Sequence, residues 1–177
     1  MITYLCHSSS TANDSGCRAG WADPPLSALG EKQARELSQS LRHINPASVY
    51  TSDLLRARQT AAIVFPGKTV FADRRLREMN YGVFNNLPGS QFPGTEEEFI
   101  VQAYEAGESC IAVESRMRAF LADCYTPHQH IVLVSHRFPQ LALEVIFNQL
   151  SWSEALAQDW RHQGAWQPGW TYTWPAF

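Results

Sequence analysis

The chain has 177 residues, 45% of them apolar and 18% charged, with 14 Lys and Arg against 17 Asp and Glu and a formal net charge of -3. That is enough apolar material for a sizeable core, and it excludes global disorder. The acidic balance argues against nucleic-acid binding driven by charge; no apolar run approaches the roughly 18 residues of a membrane span; and no basic segment precedes an apolar one as an export signal would, so a cytoplasmic location is expected.

A short apolar run, Ile2 to Cys6, reads as a buried first strand and stops at His7. Ser8, Ser9, Ser10, Thr11 and Asn13 follow at once, so a strand ending in an imidazole opens into hydroxyls and amides, a suitable setting for an anion. Ser8 to Pro25, with Gly16, Gly20 and Pro24-Pro25, reads as a loop longer than ordinary connections, and such loops tend to carry a site. Leu26 to Leu41 has helical periodicity, with Leu29, Gln33-Ala34, Leu37 and Leu41 on one face, and Asn45-Pro46 ends it. Val49 to Thr51 is a short strand. Ser52 or Asp53 is expected to cap a helix running to about Val64, closed by Pro66-Gly67. Val70-Phe71 is a further strand candidate, and Val83 to Gly94 should be irregular. Two helices are expected at Thr95 to Tyr104 and Cys110 to Cys124, separated by Gly107. His130 to Ser135 carries four aliphatic residues in a row, as a central parallel strand covered on both faces would. Pro139 to Leu150 reads as a helix with the proline in its first turn.

Five of the six tryptophans fall between Trp152 and Trp174, close to Tyr172 and Phe177. This tail suits a terminal hairpin or strand packed over helices, a homodimer contact, or a wall over a pocket. Strand and helix alternate throughout, which predicts an α/β sandwich of three layers with a mostly parallel central sheet. In such sheets ligands gather beyond the carboxyl ends of the strands, and His7 and His136 both fall there. The four cysteines, at 6, 17, 110 and 124, form no CxxC pair and read as reduced structural thiols. Cys6, His7 and Cys17 lack compact zinc-ligand spacing, so no metal is expected.

Four segments belong together: YLCHSSSTAN (4 to 13), YTSDLLRARQTAAIV (50 to 64), RLREMNYG (75 to 82) and VLVSHRF (132 to 138). With GCRAGWADPPLSALGEKQA (16 to 34) they resemble the histidine phosphatase superfamily, the phosphoglycerate mutase-like proteins, and among its branches the small alpha-ribazole and broad phosphatase group. The resemblance covers nearly residues 2 to 145. It implies one phosphoglycerate mutase-like domain over 1–177 with a tryptophan-rich tail, and no cofactor. It also implies His7 as the nucleophile that takes the phosphoryl group, Arg56 as a grip on phosphate oxygens and Glu78 as the acid for the leaving oxygen. His136 would be the second, stabilising histidine and Asn13 a phosphate-side amide, with Ser8 beside them. The chemistry fits in kind. A neutral imidazole attacks through one nitrogen while the other donates to a fixed acceptor. Positive and N–H donors must surround the phosphoryl oxygens, and a nearby phosphate raises a carboxylate's affinity for the proton it must deliver.

The sequence departs from the family pattern at several points. Arg-His-Gly is Cys6-His7-Ser8, so the arginine ahead of the nucleophile is missing, and Ser9 stands where Glu is common. An arginine after Gly16 is replaced by Cys17, with Arg18 one residue on. Ser-His-Gly ends in Arg137, and a Glu-Gly pair is Asn85-Asn86. Losing one donor that strengthens in the transition state costs about 3 to 4 kcal/mol. Arg137 and Arg18 are the candidates to restore that charge. The expected function is hydrolysis of a small anionic phosphomonoester through phosphohistidine. The alternative is a divergent member turned to elimination or isomerisation by His7, Glu78 and His136, or to non-catalytic binding. A mutase is less expected, because no long insert lies between Gly82 and Thr95.

Overall fold

The computed structural model describes residues 1–125, 128–163 and 169–174. In chain order they form β1 (Ile2–Cys6), α1 (Thr11–Asp14), β2 (Cys17–Arg18), α2 (Ala28–Ser40), β3 (Ser48–Thr51), α3 (Leu55–Val64) and β4 (Val70–Ala72). Then come β5 (Leu87–Pro88), α4 (Cys110–Cys124), β6 (Ile131–Ser135), α5 (Arg137–Asn148), α6 (Trp152–Ala157) and β7 (Gly169–Tyr172), with short 3-10 turns between them.

The central sheet has the order β4-β3-β6-β1-β7. Its first four strands are parallel, and β7 joins the β1 edge antiparallel. Every residue of β1 and β6 is buried, and alternation divides them between two cores. Ile2, Tyr4, Ile131 and Leu133 pack with α4 and α5 residues such as Val113, Met117 and Leu141. Leu5, Val132 and Val134 pack with Ala34 and Leu37 of α2 and Ala61 and Val64 of α3. The result is the expected three-layer α/β sandwich with a largely parallel sheet. Among the described residues, no helix is long and apolar enough to cross a membrane.

Several local expectations are corrected. The loop from Ser8 to Pro25 contains α1, whose Ser10–Asn13 capping box satisfies its first turn, and β2, which pairs with β5. The helix expected over Thr95 to Tyr104 is only a 3-10 turn, Glu96–Phe99. Phe99 leaves it to stack on Tyr104 at 3.7 Å, and Glu96 turns to Arg18 and Arg137. Neither Ser52 nor Asp53 is the N-cap of α3: Leu54 is. Asp53 instead holds Arg77 through two hydrogen bonds of 2.7 Å, and the Leu55 N–H is capped from the distant loop by Asp23. Helix α5 begins at Arg137, two residues before Pro139, and the reason lies in the site. The aromatic tail contributes more than the expected strand packed over helices: its described residues form α6, a 3-10 turn at Trp160–Gln163 and β7, whose Tyr172 packs on Phe147 of α5. Trp166 and Phe177 lie outside the described residues.

Candidate active site

The parallel pairing of β1 with β6 sets Cys6 opposite Ser135. One residue further on, the His7 N–H donates to the Ser135 carbonyl at 2.9 Å. The two imidazoles therefore leave adjacent strand ends, and their ring centroids lie 5.0 Å apart, edge to face. The Tyr4 hydroxyl clamps the second of them: it donates to the His136 carbonyl at 2.6 Å and accepts from the His136 N–H at 3.0 Å.

His7 is fixed at both nitrogens. Nδ1 lies 2.7 Å from the Ser8 carbonyl, an acceptor, so Nδ1 carries the proton and Nε2 carries the lone pair. That lone pair accepts from Arg56 Nε at 3.2 Å. Arg56 is 1% exposed and spends its other arms on the loop, donating to the carbonyls of Ala22 at 2.9 Å and Gly20 at 2.8 Å. A single guanidinium thus ties α3, the long loop and the nucleophile candidate together. Gly20 has φ +53, and a Cβ there would meet Asn85 Oδ1 at 1.9 Å, so the turn that presents its carbonyl requires glycine.

Glu78 is buried and faces the same cavity. Its Oε1 accepts from the N–H groups of Met79 at 2.9 Å and Phe138 at 3.0 Å, and its Oε2 accepts from the Arg137 N–H at 3.2 Å. The His136 side chain does not cap α5. Glu78 does so from 59 and 60 positions away in sequence, which is why the helix starts before its proline. The Glu78 carbonyl is held in turn by Trp21 Nε1 at 2.7 Å and Arg116 Nη2 at 3.0 Å.

These groups surround a cavity of about 550 Å³ faced by His7, Asn13, Arg18, Arg56, Glu78 and Arg137, together with Cys6, Tyr81, Glu96, Trp160, Arg161 and His162. His136 and Ser8 are fully buried behind that wall. Neither ring nitrogen of His136, nor the Ser8 hydroxyl, has a hydrogen-bond partner among the described residues. The Asn13 side-chain oxygen is committed to Ser10, accepting from its N–H at 2.9 Å and its hydroxyl at 2.7 Å.

Neither arginine expected to replace the missing motif charge is directed at Cys6. Arg18 pairs with Glu96 at 2.9 Å. Arg137 makes a fork to Glu96 at 2.6 and 2.8 Å and also pairs with Asp159. The guanidinium that touches Cys6 belongs to Arg161, whose Nη2 lies 3.4 Å from Sγ. Sequence reading missed Arg161, Asp159 and Trp160; their one signal was the aromatic density of the tail.

Burial, aided by the Arg56 charge and opposed by the bond to Ser8, lowers His7 to about 3. His136 is driven well below its ordinary value, by burial first and then by Arg56. Both imidazoles are therefore neutral in the folded protein near pH 7. In the unfolded chain each takes up a proton below about 6.5. Between that value and the folded one the unfolded state binds more protons, so stability falls as pH falls through the window. The slope is up to about 1.4 kcal/mol per pH unit for each imidazole. Urea midpoints measured from pH 7 to pH 4 should decline accordingly, and His7→Gln should flatten the decline; a midpoint constant across that range would contradict the assignment of neutral imidazoles. Burial also pushes the Cys6 thiol up to about 11, against the opposing influence of Arg161, so Cys6 is a thiol, not a thiolate nucleophile.

The chain belongs to the histidine phosphatase superfamily (branch 1), whose sequence profile matches residues 2–167. A protein of Yersinia enterocolitica named as a probable phosphoglycerate mutase GpmB is 36% identical over 134 residues, covering 70% of this chain and 62% of its own length. A Yersinia pestis protein of the same name is 35% identical over 115 residues, 59% of this chain and 54% of its own. The chain thus spans little more than half the length of these curated relatives. Among solved structures, a mycobacterial glucosyl-3-phosphoglycerate phosphatase in complex with VO3 superposes with a TM-score of 0.74 at 29% identity, over 88% of this chain and 85% of that one. A candidate alpha-ribazole-5′-P phosphatase from Escherichia coli K-12 shares the fold at TM-score 0.78 and 24% identity, over 88% and 83%.

Proposed function

We propose that the protein is a phosphomonoesterase that takes the phosphoryl group of a small anionic metabolite onto His7. The observation that carries this reading is the state of His7 itself. One nitrogen donates to the Ser8 carbonyl, and the other presents its lone pair to a cavity beside a buried guanidinium. As phosphate enters, one of its oxygens takes the Arg56 Nε–H that now caps this lone pair, which frees Nε2 to attack phosphorus. The P–O bond to the leaving group breaks as the N–P bond forms, and Glu78, having taken up the proton that the phosphate monoanion brings in, gives it to the departing oxygen. Water then attacks the phosphohistidine, Glu78 recovers a proton from it, and inorganic phosphate leaves. His136, neutral and edge-to-face with the His7 ring, supports that ring from behind the wall. The family match favours this chemistry, as does the vanadate complex of a structural relative, since vanadate mimics the trigonal-bipyramidal phosphoryl group.

The test is rapid acid-free quenching of the protein with a generic aryl phosphate. Acid-labile, base-stable phosphate on His7, formed and lost at rates matching turnover, is the expected result. Turnover without any His7 label would replace the covalent route by direct attack of water. A folded protein with neither label nor turnover would favour the repurposed or binding role instead.

A further inference from the structure

We propose that Arg161, delivered by the C-terminal tail, supplies the phosphate-binding charge that is missing at position 6. The inference rests on the phosphatase reading and names a residue for it that lies outside the matched motifs. Cys6 is the residue directly before the nucleophile candidate, and its short neutral side chain leaves room above it. Arg161 occupies that room, with Nη2 3.4 Å from Sγ, and faces the same cavity as His7 and Arg56.

The guanidinium is held there by built contacts. Its Nη1 pairs at 3.0 Å with Asp159, whose side chain is fully buried. The Arg161 backbone N–H donates to the same carboxylate at 3.1 Å, and the guanidinium carbon lies 4.5 Å from the centre of the Trp160 ring. The cysteine is a thiol and offers no countercharge. Asp159 does not neutralise Arg161 either, because it is shared with Arg137. Arg137 in turn shares Glu96 with Arg18. Three guanidinium groups therefore divide two carboxylates, which leaves this network one formal positive charge in excess. With Nη1 fixed on Asp159 and Nη2 resting only on the weakly accepting Cys6 sulfur, Arg161 can redirect Nη2 N–H groups towards a phosphoryl oxygen without rebuilding the wall.

The experiment relocates the charge. Arg161→Met keeps much of the apolar stem over Trp160 and removes the guanidinium. It should lower kcat/KM for an aryl phosphate by about a hundredfold and weaken inhibition by orthovanadate by a similar factor, on the scale of one lost anion-directed donor. Cys6→Arg added to Arg161→Met should restore at least tenfold of both, since it returns the charge from the strand side. Arg161→Gln serves the same comparison should the methionine variant fold poorly, and circular dichroism checks each protein. An active wild type with unaffected Arg161→Met and Arg161→Gln would overturn this inference alone. Loss without rescue by Cys6→Arg would overturn the exchange of one position for the other. A wild type that neither hydrolyses the ester nor binds orthovanadate would overturn the phosphatase reading and this inference with it.

Discussion

His7→Gln should lower aryl-phosphate turnover on the order of 10⁵-fold, the scale seen when a covalent nucleophile is removed and binding groups are left in place. Glutamine is chosen because it is uncharged and close to the imidazole in length, so it neither empties the site nor changes its charge. The protein should therefore remain folded and keep its anion-binding groups. What it loses is the Nε2 lone pair, and no neighbour can replace it. Cys6 adjoins His7 in sequence, but burial pushes its thiol up to about 11. His136 lies behind the cavity wall. Residual turnover above about one hundredth of wild type would mean that His7 is not the attacking group.

Arg56→Lys should also be damaging, to a smaller degree and by a different route. The arginine makes three directed contacts at once: to His7 Nε2 and to the carbonyls of Gly20 and Ala22. A lysine keeps the charge but cannot span three acceptors in a planar fork. On the catalytic side, one misplaced donor should lower kcat/KM by about a hundred- to a thousandfold. On the stability side, a buried carbonyl left without a donor costs about 1–3 kcal/mol, so the melting temperature should fall as well. The two effects separate experimentally: orthovanadate should bind the folded variant much more weakly at temperatures far below its melting point. Activity within threefold of wild type would show that charge alone suffices at this position.

The two arginines also show how differently the site was legible. Arg56 was singled out because the segment YTSDLLRARQTAAIV carries a specific pattern; α3 carries it, and the loop carbonyls of Gly20 and Ala22 fix its direction. Glu78 was singled out the same way, yet its structural contact was invisible. Its carboxylate caps α5, and no local pattern around residue 78 announces a helix that begins at residue 137. Arg137 was expected to turn its charge towards position 6, but adjacency in sequence says nothing about which carboxylates lie across the cavity. Glu96 and Asp159 take its guanidinium. The expected helix over Thr95 to Tyr104 failed for a related reason: local acidic residues favoured a helix start, but the pull of Glu96 to the two arginines and of Phe99 to Tyr104 prevailed.

By itself the sequence determined the sheet and the approach of the two histidines. The apolar run at Ile2–Cys6 and the four aliphatic residues from Ile131 to Val134 suit strands covered on both faces, and each strand ends one residue before an imidazole. Those are short-range facts, written in periodicity and run length. The tertiary structure alone decided which charges reach the cavity. Arg161 meets Cys6 across 155 positions of chain, on a turn set by the shared carboxylate of Asp159. A contact of that span depends on where the chain returns in space and on which ion pairs are already taken, and neither is encoded in the spacing of neighbouring residues.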